Sequence, residues 1–391
     1  MSLGRYQISL CRNCGNCGLG FFKPFREDGV IPQDSGRLLC PPYLKYKFQS
    51  YRPTGRASII MSLASGNLDL TSELSKNTYS CTLCGSCDEI CSEDKTPAFR
   101  ALRRELVKAG KGPLEPSQKI DENIEKTSNV FGGKNERKTA WSKELALPKK
   151  GETLYFAGCF NSYVSPEVSR ATVSLLKKAR VNIAYLGEGE VCCGNHPFLD
   201  GQAELGEKQA SLLLSTIDEC GAKTVVTSCS SCYRVFKNDY VEKFGKLPFD
   251  VFHITEYLWK LIENRELSFG TKINKKVSYH DPCSLGRGFR IFEEPRGIIK
   301  AISGIEYVEM QNNRAWSWCC GGGMSVNYFA TQDLASWSAQ QRLKEAAEAR
   351  VDTLVTACPH CAANFRRTAK QAELGIEILD LTVLADNATV Q

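Results

Sequence analysis

Cysteine is the residue that most constrains what this chain can fold into. The 391 residues include 19 cysteines, and 18 of them fall into four ordered groups. A disulfide framework is disfavoured because the count is odd and the chain is far larger than the small secreted domains that need covalent staples. Thiols in such number in a reducing compartment are typically metal ligands. The spacing within each group therefore predicts which kind of metal centre it holds.

The second group along the chain has the spacing of a bacterial ferredoxin, Cys81-x2-Cys84-x2-Cys87-x3-Cys91. Three thiolates at three-residue steps bend around one face of a cubane [4Fe–4S] cluster, and the fourth ligand comes from elsewhere in the chain. Ser92 follows where bacterial ferredoxins usually carry proline. Since proline there mainly turns the chain, we expect cluster binding to be kept.

The first group begins with the same triplet and ends at a distant fourth cysteine. Its members are Cys11, Cys14, Cys17 and Cys40. In two-cluster ferredoxins each fourth cysteine binds the other cluster, which predicts two crossed ligand sets. The sets are Cys11, Cys14 and Cys17 with Cys91, and Cys81, Cys84 and Cys87 with Cys40. Zinc is the alternative metal, although zinc ribbons use two separated CxxC pairs and not packed triplets.

Two further groups, of five cysteines each, repeat one another in the C-terminal part. Each has a single cysteine, then an adjacent Cys-Cys-Gly, then a CxxC. The groups are Cys159, Cys192, Cys193, Cys229 and Cys232, and Cys283, Cys319, Cys320, Cys358 and Cys361. Corresponding cysteines lie 124 to 129 residues apart, which indicates a duplicated domain. Five thiolates are too many for tetrahedral zinc and one more than an ordinary cubane uses. A strained disulfide between vicinal cysteines would leave three partners unexplained.

Alternation of apolar runs with amphipathic patterns after residue 150 predicts α/β domains with a mostly parallel sheet. The predicted strands are 153–157, 181–186, 224–227, 277–280 and 353–356, and the predicted helices are one capped at Ser165, 333–350 and 359–368. Before residue 112, Thr54 is predicted to cap a helix over 56–64 that ends at Gly66, and Thr96 to begin another that ends near Gly110.

The predicted fold class is α+β and multidomain, with an N-terminal helical ferredoxin-like module and a duplicated α/β domain. The predicted boundaries are 1–112 for the two-cluster module, 113–150 for a polar surface linker with one short helix, and 151–270 and 271–391 for the repeats.

Composition excludes several classes of protein. The net charge is +6 with no block of like charges, so we expect no nucleic-acid partner. No apolar run is long enough to span a membrane, and the first ten residues lack the apolar stretch of a signal peptide. These features predict a cytoplasmic protein, associated with a membrane only through a partner. No dinucleotide fingerprint or P-loop occurs in a suitable context, so no flavin or nucleotide is expected on this chain.

The duplicated C…CCG…CxxC pattern resembles the CCG domains of heterodisulfide reductase catalytic subunits. Local strings carry the resemblance: YHDPCSLGR from residue 279, CCGGG from 319 and TACPHC from 356. A two-cluster module joined to two such domains is similar to the D-type subunit of that enzyme, and only the linker falls outside the resemblance. It implies two cubane [4Fe–4S] clusters, two non-cubane [4Fe–4S] clusters on the five-cysteine groups, and cleavage of a disulfide between the latter.

Histidines and arginines near the ligands are the candidates for chemistry beyond metal binding. Release of a thiol needs protons and histidine titrates near neutral pH, so His196, His280 and His360 are the predicted catalytic residues. Structural hydrogen bonds to cluster sulfurs or backbone are the alternative role. Arg287 and Arg290 are predicted to bind an anionic substrate, with solvated helix faces as the alternative.

The leading functional prediction is the catalytic subunit of a disulfide reductase that acts on a small thiol or disulfide. Its redox partner would be a membrane cytochrome b, a flavoprotein, or a hydrogenase or formate dehydrogenase module. The alternative is an iron–sulfur relay subunit of a flavin-dependent 2-hydroxy-acid or glycerol-3-phosphate dehydrogenase that exchanges electrons with a quinone. The complete five-cysteine groups and the HDPCSLGR string favour the disulfide reductase over this relay subunit. A zinc scaffold without redox function is a third class, which iron and acid-labile sulfide analysis would distinguish.

Overall fold

The computed structural model describes residues 40–91, 94–133 and 135–390. The first triplet, Cys11, Cys14 and Cys17, therefore lies outside the described residues. Four helices form the described part of the N-terminal module: α1 (Pro41–Tyr46), α2 (Pro53–Ala64), α3 (Ser72–Tyr79) and α4 (Thr96–Lys108). The second cysteine triplet occupies the loop between α3 and α4.

Helix α2 begins earlier than predicted. Pro53 occupies its first turn and Arg52 is the N-cap residue, so Thr54 lies inside the helix and does not cap it. Proline is favoured at this position because its fixed φ suits the first turn and its missing N–H would be unpaired there anyway. The predicted end is confirmed, since Gly66 has a φ of +76° just after the C-cap residue Ser65.

The segment predicted as a surface linker is packed against the rest of the chain. It contains α5 (Glu115–Thr127) and α6 (Asn135–Thr139), followed by the 3₁₀ turn Ala140–Ser142. Ile124 on α5 is fully buried, and the Trp141 ring packs edge-on against Tyr155 with centroids 5.9 Å apart. Its polar composition obscured this packing, because the apolar face of α5 is only one narrow stripe. The predicted domain boundaries themselves stay a prediction.

Two parallel sheets of four strands each follow within the described residues. The first has the order β2-β1-β3-β4, with β1 (Thr153–Phe156), β2 (Ile183–Ala184), β3 (Thr224–Thr227) and β4 (Asp250–His253). The second has the equivalent order β6-β5-β7-β8, with β5 (Lys275–His280), β6 (Ile305–Tyr307), β7 (Thr353–Thr356) and β8 (Glu377–Asp380). The predicted mixed α/β architecture with parallel sheets is thereby confirmed.

The strands that the sequence predicts best are the central ones. Strands β1, β3 and β7 are rich in β-branched and aromatic residues. These strands and residues 277–280 of β5 are largely buried on both faces, as parallel sheets require. The outer strands are shorter or more polar: only Ile183–Ala184 of the predicted 181–186 is extended, and β4, β6 and β8 have no clear apolar run.

Helices connect these strands and cover both sheets. In the first repeat they are α7 (Gly158–Tyr163), α8 (Pro166–Lys178), α9 (Asn195–Asp200), α10 (Ala203–Cys220), α11 (Ser230–Arg234), α12 (Val241–Phe244) and α13 (Ile254–Glu263), with a π-helical segment at Val235–Tyr240. In the second they are α14 (Gly286–Phe289), α15 (Glu293–Lys300), α16 (Val326–Ala330), α17 (Gln332–Glu348), α18 (Pro359–Gln371) and α19 (Leu381–Ala388).

The two repeats pack directly on one another. Helices α8 and α19 meet where Asp386 accepts hydrogen bonds from Ser174 Oγ at 2.6 Å and from Lys178 Nζ at 3.1 Å. A continuous apolar core includes residues of both sheets, among them Leu154 and Val277. Of the helices in the described residues, none combines the length and the apolar character needed to cross a bilayer.

Candidate metal centres

The first five-cysteine group converges at the carboxyl ends of β1 and β3. Cys159 begins helix α7 after β1, and Cys229 and Cys232 flank the start of α11 after β3. Because these two parallel strands are neighbours, and their connections leave in opposite directions, a crevice opens between their ends. The Cys192-Cys193 pair enters the same crevice before α9. All five thiols line one cavity, and the Cys193 and Cys232 sulfurs lie 3.4 Å apart.

Glycines let the backbone approach this cavity closely. Gly158 has a φ of +75°, and a Cβ atom there would stand 3.1 Å from the Cys232 sulfur. Gly194 also has a positive φ of +78°, and its N–H donates to the Cys192 sulfur over 3.4 Å. Backbone N–H groups directed at thiolate sulfur stabilise the deprotonated, metal-binding form.

The second five-cysteine group repeats the arrangement at the ends of β5 and β7. The Gly321 N–H donates to Cys319 Sγ over 3.3 Å, and the Gly322 N–H donates to Cys320 Sγ over 3.4 Å. The Cys319 thiol also hydrogen-bonds the thiols of Cys283 and Cys320, which raises its pKa well above the usual value.

The donor chemistry of both groups fits an iron–sulfur cluster. Each group brings five mostly buried thiols together with N–H groups directed at sulfur, and thiolate is the ligand that such clusters use. No disulfide joins any cysteine in the described ranges. The ten cysteines are therefore available as ligands. The number of clusters and their type stay a prediction.

A third cavity brings Cys40 together with the second triplet. It is lined by the four cysteines Cys40, Cys81, Cys84 and Cys87. Cys40 lies just before α1, and burial raises the pKa of its thiol to about 12. Cys91 does not line this cavity, and the triplet predicted to join it lies outside the described residues. The crossed ligand sets thus stay a prediction. The shared cavity supports the set that joins Cys40 to the second triplet.

The third cavity and the second five-cysteine group touch through sulfur. Cys84 hydrogen-bonds the thiol of Cys319, and this contact is the main reason why the pKa of Cys84 lies well below its usual value. Thr82 Oγ1 also lies 3.6 Å from Cys319 Sγ. The ligand shell of the ferredoxin-type triplet is therefore continuous with that of the second repeat.

His360 lies between the two five-cysteine groups. Its Nδ1 atom is 3.8 Å from Cys229 Sγ of the first repeat and 4.0 Å from Cys358 Sγ of the second. Burial lowers the pKa of the ring, but the two neighbouring thiolates raise it by more, to about 10. The CxxC motifs of the two repeats thus face each other across one imidazole, which the Phe160 ring contacts at 3.9 Å between centroids.

The other two predicted histidines lie on opposite sides of this centre. His280 is close to Cys320 and Cys361, with ligand atoms within 4.8 Å, and accepts a hydrogen bond from Arg342 Nε at 3.2 Å. Burial lowers the pKa of its ring. His196 lines the first cavity, and both of its ring nitrogens bond serine hydroxyls. The geometry brings all three histidines to the sites and leaves their roles untested.

The two predicted substrate arginines line a separate cavity of about 360 Å³ beside Cys84 and Cys283. Arg287 donates to three backbone carbonyls, including Cys84 O at 2.7 Å, and its Nη2 atom has no partner among the described groups. Arg290 pairs with Glu89 at 3.0 Å. Arg287 is therefore partly structural, with one buried N–H group free to meet a ligand.

Sequence reasoning missed Glu190, which organises the first site. Its carboxylate accepts the N–H groups of Ala157 and Gly158 at 2.9 Å each and thereby fixes the turn that presents Cys159. Burial raises the pKa of this carboxyl to about 7. A single acid before a Cys-Cys-Gly carries no periodic signal, so no pattern could have selected it.

Comparison with known proteins identifies the repeats and the chain. The CCG family, described as a cysteine-rich domain, matches residues 153–237 and 277–366. The D-type subunit of the dihydromethanophenazine:CoB–CoM heterodisulfide reductase of Methanosarcina barkeri is 30% identical over 389 residues, covering 97% of this chain and 94% of that protein.

More distant relatives cover about three quarters of the chain. The B-type subunit of the fumarate reductase (CoM/CoB) of Methanothermobacter marburgensis is 28% identical over 79% of this chain and 61% of its own length. The EtfAB:quinone oxidoreductase of Syntrophomonas wolfei is 30% identical over 76% and 44%. All three relatives are named as oxidoreductases or their subunits. The chain is an iron–sulfur oxidoreductase subunit and belongs to the family of heterodisulfide reductase D-type subunits.

Proposed function

We propose that this chain is the catalytic subunit of a disulfide reductase, with the reaction taking place between the two five-cysteine sites. The position of His360 carries the proposal: Nδ1 lies within 4.0 Å of one CxxC sulfur from each repeat. A disulfide held there can present one sulfur to each site. A subunit that only relays electrons does not require two five-thiol sites that face each other.

Four cluster-binding groups follow from the cysteine sets. The cubane ligands are Cys11, Cys14, Cys17 and Cys91 for one cluster and Cys40, Cys81, Cys84 and Cys87 for the other. The non-cubane ligands are Cys159, Cys192, Cys193, Cys229 and Cys232, and Cys283, Cys319, Cys320, Cys358 and Cys361. When bound, the clusters supply single electrons, and cleavage of one S–S bond consumes two electrons and two protons to give two thiols.

The contact between Cys84 and Cys319 supports an order in which electrons reach the two five-cysteine sites. It makes the second repeat the neighbour of the ferredoxin-type triplet, so electrons from a partner would reach the second five-cysteine site first. The partner is a one-electron or flavin donor, such as a membrane cytochrome b, a flavoprotein, or a hydrogenase or formate dehydrogenase module.

The chain's own polar groups would handle protons and substrate. His360 is placed to donate a hydrogen bond to sulfur released between the sites, and His196 and His280 are the proton-handling groups on the first and second side. Arg287 and Arg290 would hold an anionic part of the substrate in the adjoining cavity, since a guanidinium group suits carboxylate, sulfonate or phosphate.

Electron paramagnetic resonance of anaerobically purified, oxidised protein tests the proposal. Iron and acid-labile sulfide should first be found together, and titration with candidate thiols should then produce a new paramagnetic signal with one of them. Cys358→Ser should abolish the signal, whereas Cys220→Ser, a matched change at a buried cysteine outside the four groups, should keep it. Zinc without sulfide, or silence with every thiol at full cluster content, would contradict the proposal.

A relay subunit for a flavin-dependent dehydrogenase is the second candidate function. The similarity to an EtfAB:quinone oxidoreductase favours it, together with the sulfur contact that joins the clusters' ligand shells. In that case the flavoprotein would oxidise a 2-hydroxy acid or glycerol 3-phosphate, and this chain would pass electrons to or from a quinone. Cluster reoxidation by a quinone analogue, without any thiol-dependent signal, would favour the relay.

A further inference from the structure

A chain of buried polar side chains links helix α5 to the first five-cysteine cavity. The Ser117 hydroxyl lies 2.9 Å from His196 Nε2 and donates to Asp200 Oδ2 at 3.0 Å. On the other side of the imidazole, Nδ1 lies 2.9 Å from Ser325 Oγ. These four residues come from three separate parts of the sequence, and each is at most 2% exposed.

One end of this chain opens into the first site. His196 and Ser325 line the same cavity as Cys192 and Cys193. Ser325 also has a φ of +94°, a conformation that a residue with a Cβ atom rarely adopts. Such backbone strain is retained where the surroundings enforce it, and here it accompanies a hydroxyl placed between an imidazole and the cavity.

The other end approaches the protein surface. Asp121 lies one turn beyond Ser117 on α5, and its carboxyl group, His196 and Asp200 have ligand atoms within 4.8 Å of one another. Glu125, a further turn along α5, is exposed. Positions 117, 121 and 125 therefore lie on one face of the helix, from a fully buried hydroxyl to an exposed carboxylate.

We propose that this polar chain conducts protons from solvent at Glu125 through Asp121, Asp200, Ser117, His196 and Ser325 to the first five-cysteine site. The inference rests on the proposed function and adds its proton supply. Cleavage of one disulfide by two electrons from a low-potential donor yields two thiolates, each of which takes up one proton. The chain supplies the proton to the thiolate formed on the side of the first repeat.

Asp121 has the properties that a proton-carrying group requires. Both of its carboxyl oxygens are buried and accept no hydrogen bond from an N–H or hydroxyl group in the described residues. Burial and the nearby Asp200 raise the pKa of this carboxyl to about 10, so it holds a proton at neutral pH. A carboxyl that holds a proton beside the Asp200 carboxyl can pass it on and be refilled from Glu125, one turn along α5.

The charged groups near Asp121 do not offset the rise in the pKa of its carboxyl. Tyr79 and Arg103 are further ionisable groups close to Asp200, and both are engaged with backbone: the Tyr79 hydroxyl donates to Asp200 O and Arg103 Nη1 to Leu199 O. Neither donates to the Asp121 carboxyl. Among the described residues, the titratable groups that face this carboxyl most closely are Asp200, His196 and Glu125, and none of them is a lysine or an arginine.

A divalent cation is the competing occupant of the same cluster, since one imidazole and two carboxylates are ligands that metals accept. The Ser117 hydroxyl disfavours this occupant. It bonds both His196 Nε2 and Asp200 Oδ2, which lie 3.4 Å apart, so the atoms that would face an ion are already joined through one hydroxyl.

Infrared spectroscopy of the cluster-loaded protein tests the proton on Asp121 without turnover. We expect a C=O stretch of a protonated carboxyl group at neutral pH that shifts in D₂O and disappears in Asp121→Asn. Glu122→Gln, on the same helix but solvent-exposed and paired with Lys126, should retain the band. An unchanged band in Asp121→Asn would overturn the inference. A divalent ion other than iron that is bound stoichiometrically in the wild type and in Glu122→Gln, but is lost in Asp121→Asn, would also overturn the inference.

Disulfide reduction with a reduced viologen as electron donor tests conduction. Ser117→Ala removes the hydroxyl that joins His196 to Asp200 and leaves only a 3.4 Å separation between Nε2 and Oδ2, longer than a usual hydrogen bond. This variant should therefore lower the rate roughly tenfold or more and enlarge the solvent isotope effect. Ser117→Thr should restore both, and iron content and electron uptake from viologen should stay unchanged in each variant. If Ser117→Ala has the rate and isotope effect of the wild type, the proton path is overturned and the proposed function stands. If the wild-type protein reduces no disulfide at full cluster content, the proposed function is overturned together with the proton path.

Discussion

At the scale of single residues, His253 shows how burial makes a histidine sensitive to acid. It ends β4 and caps α13, where its Nδ1 accepts the Thr255 N–H at 3.3 Å. Burial lowers the pKa of its ring from 6.5 to about 3. Asp380 performs the same capping role after β8, in the equivalent place of the second repeat. Capping at this position therefore requires a hydrogen-bond acceptor, which need not be an imidazole.

We predict that His253→Asn reduces the loss of stability in mild acid. The unfolded chain takes up a proton on His253 near pH 6.5 and the folded chain only near pH 3, so acid favours the unfolded state between these values. The folded state should lose about 1 kcal/mol more in the wild type than in the variant between about pH 7 and 5.5. Urea midpoints at the two pH values measure the difference. Equal losses in both proteins would show that the ring is accessible to protons when folded.

A second prediction at this scale concerns Glu190. Glu190→Ala leaves the N–H groups of Ala157 and Gly158 without their acceptor, which costs about 1 to 3 kcal/mol for buried donors. Because these groups fix the turn before Cys159, we also expect less iron bound at the first site. Glu188→Ala, at an exposed acid in the same loop, is the control for stability and iron content. Matching values for the two variants would mean that the turn holds without the carboxylate.

At the scale of elements, the turn after β1 depends on the absence of a side chain at Gly158. We predict that Gly158→Ala lowers the iron content, because its Cβ would stand 3.1 Å from the Cys232 sulfur. Gly187→Ala is the matched control: Gly187 has a similar φ of +64°, but no atom lies within 4 Å of the place that its Cβ would occupy. Both variants should lose about 1 kcal/mol through backbone strain. Iron and sulfide analysis separates them, and equal cluster content would assign the whole effect to strain.

Elements with a strong local signal are predictable from sequence, and elements defined by distant contacts are not. Strands 224–227 and 353–356 agree with the prediction to the residue, because each is an apolar β-branched run before a CxxC. Helix α5 is predicted only as a short helix in a linker, since its burial comes from partners that are remote in sequence. The same limit applies to the site. Cysteine spacing predicts the ligand groups, but the approach of Cys229 to Cys358 across His360 depends on how the repeats pack.

At the scale of the whole molecule, the two repeats are equivalent in topology and unequal in surroundings. Both sheets have the same strand order, and the cysteines recur at matching places. Only the second repeat contacts a described sulfur of the ferredoxin-type triplet, through Cys84 and Cys319. Within the described residues, the polar chain from α5 reaches the cavity of the first five-cysteine group, and its last member, Ser325, comes from the second repeat. On the proposals above, electrons would arrive at the second five-cysteine site and protons at the first, and a disulfide between the repeats would meet both.

This asymmetry gives the last prediction. Cys192 and Cys319 are equivalent first members of the Cys-Cys-Gly motifs, so replacing either by serine removes one of five thiols from its site. Cys319→Ser also breaks the sulfur contact with Cys84, whereas Cys192→Ser leaves it in place. We expect slower electron arrival at both five-cysteine sites in Cys319→Ser, and undisturbed arrival at the second site in Cys192→Ser. Rapid mixing with a reduced viologen, followed by freeze-quench electron paramagnetic resonance, measures the arrival at each site. Equal slowing in both variants would mean that electrons enter without using the Cys84 contact, and the order of the sites would then have to be reversed or abandoned.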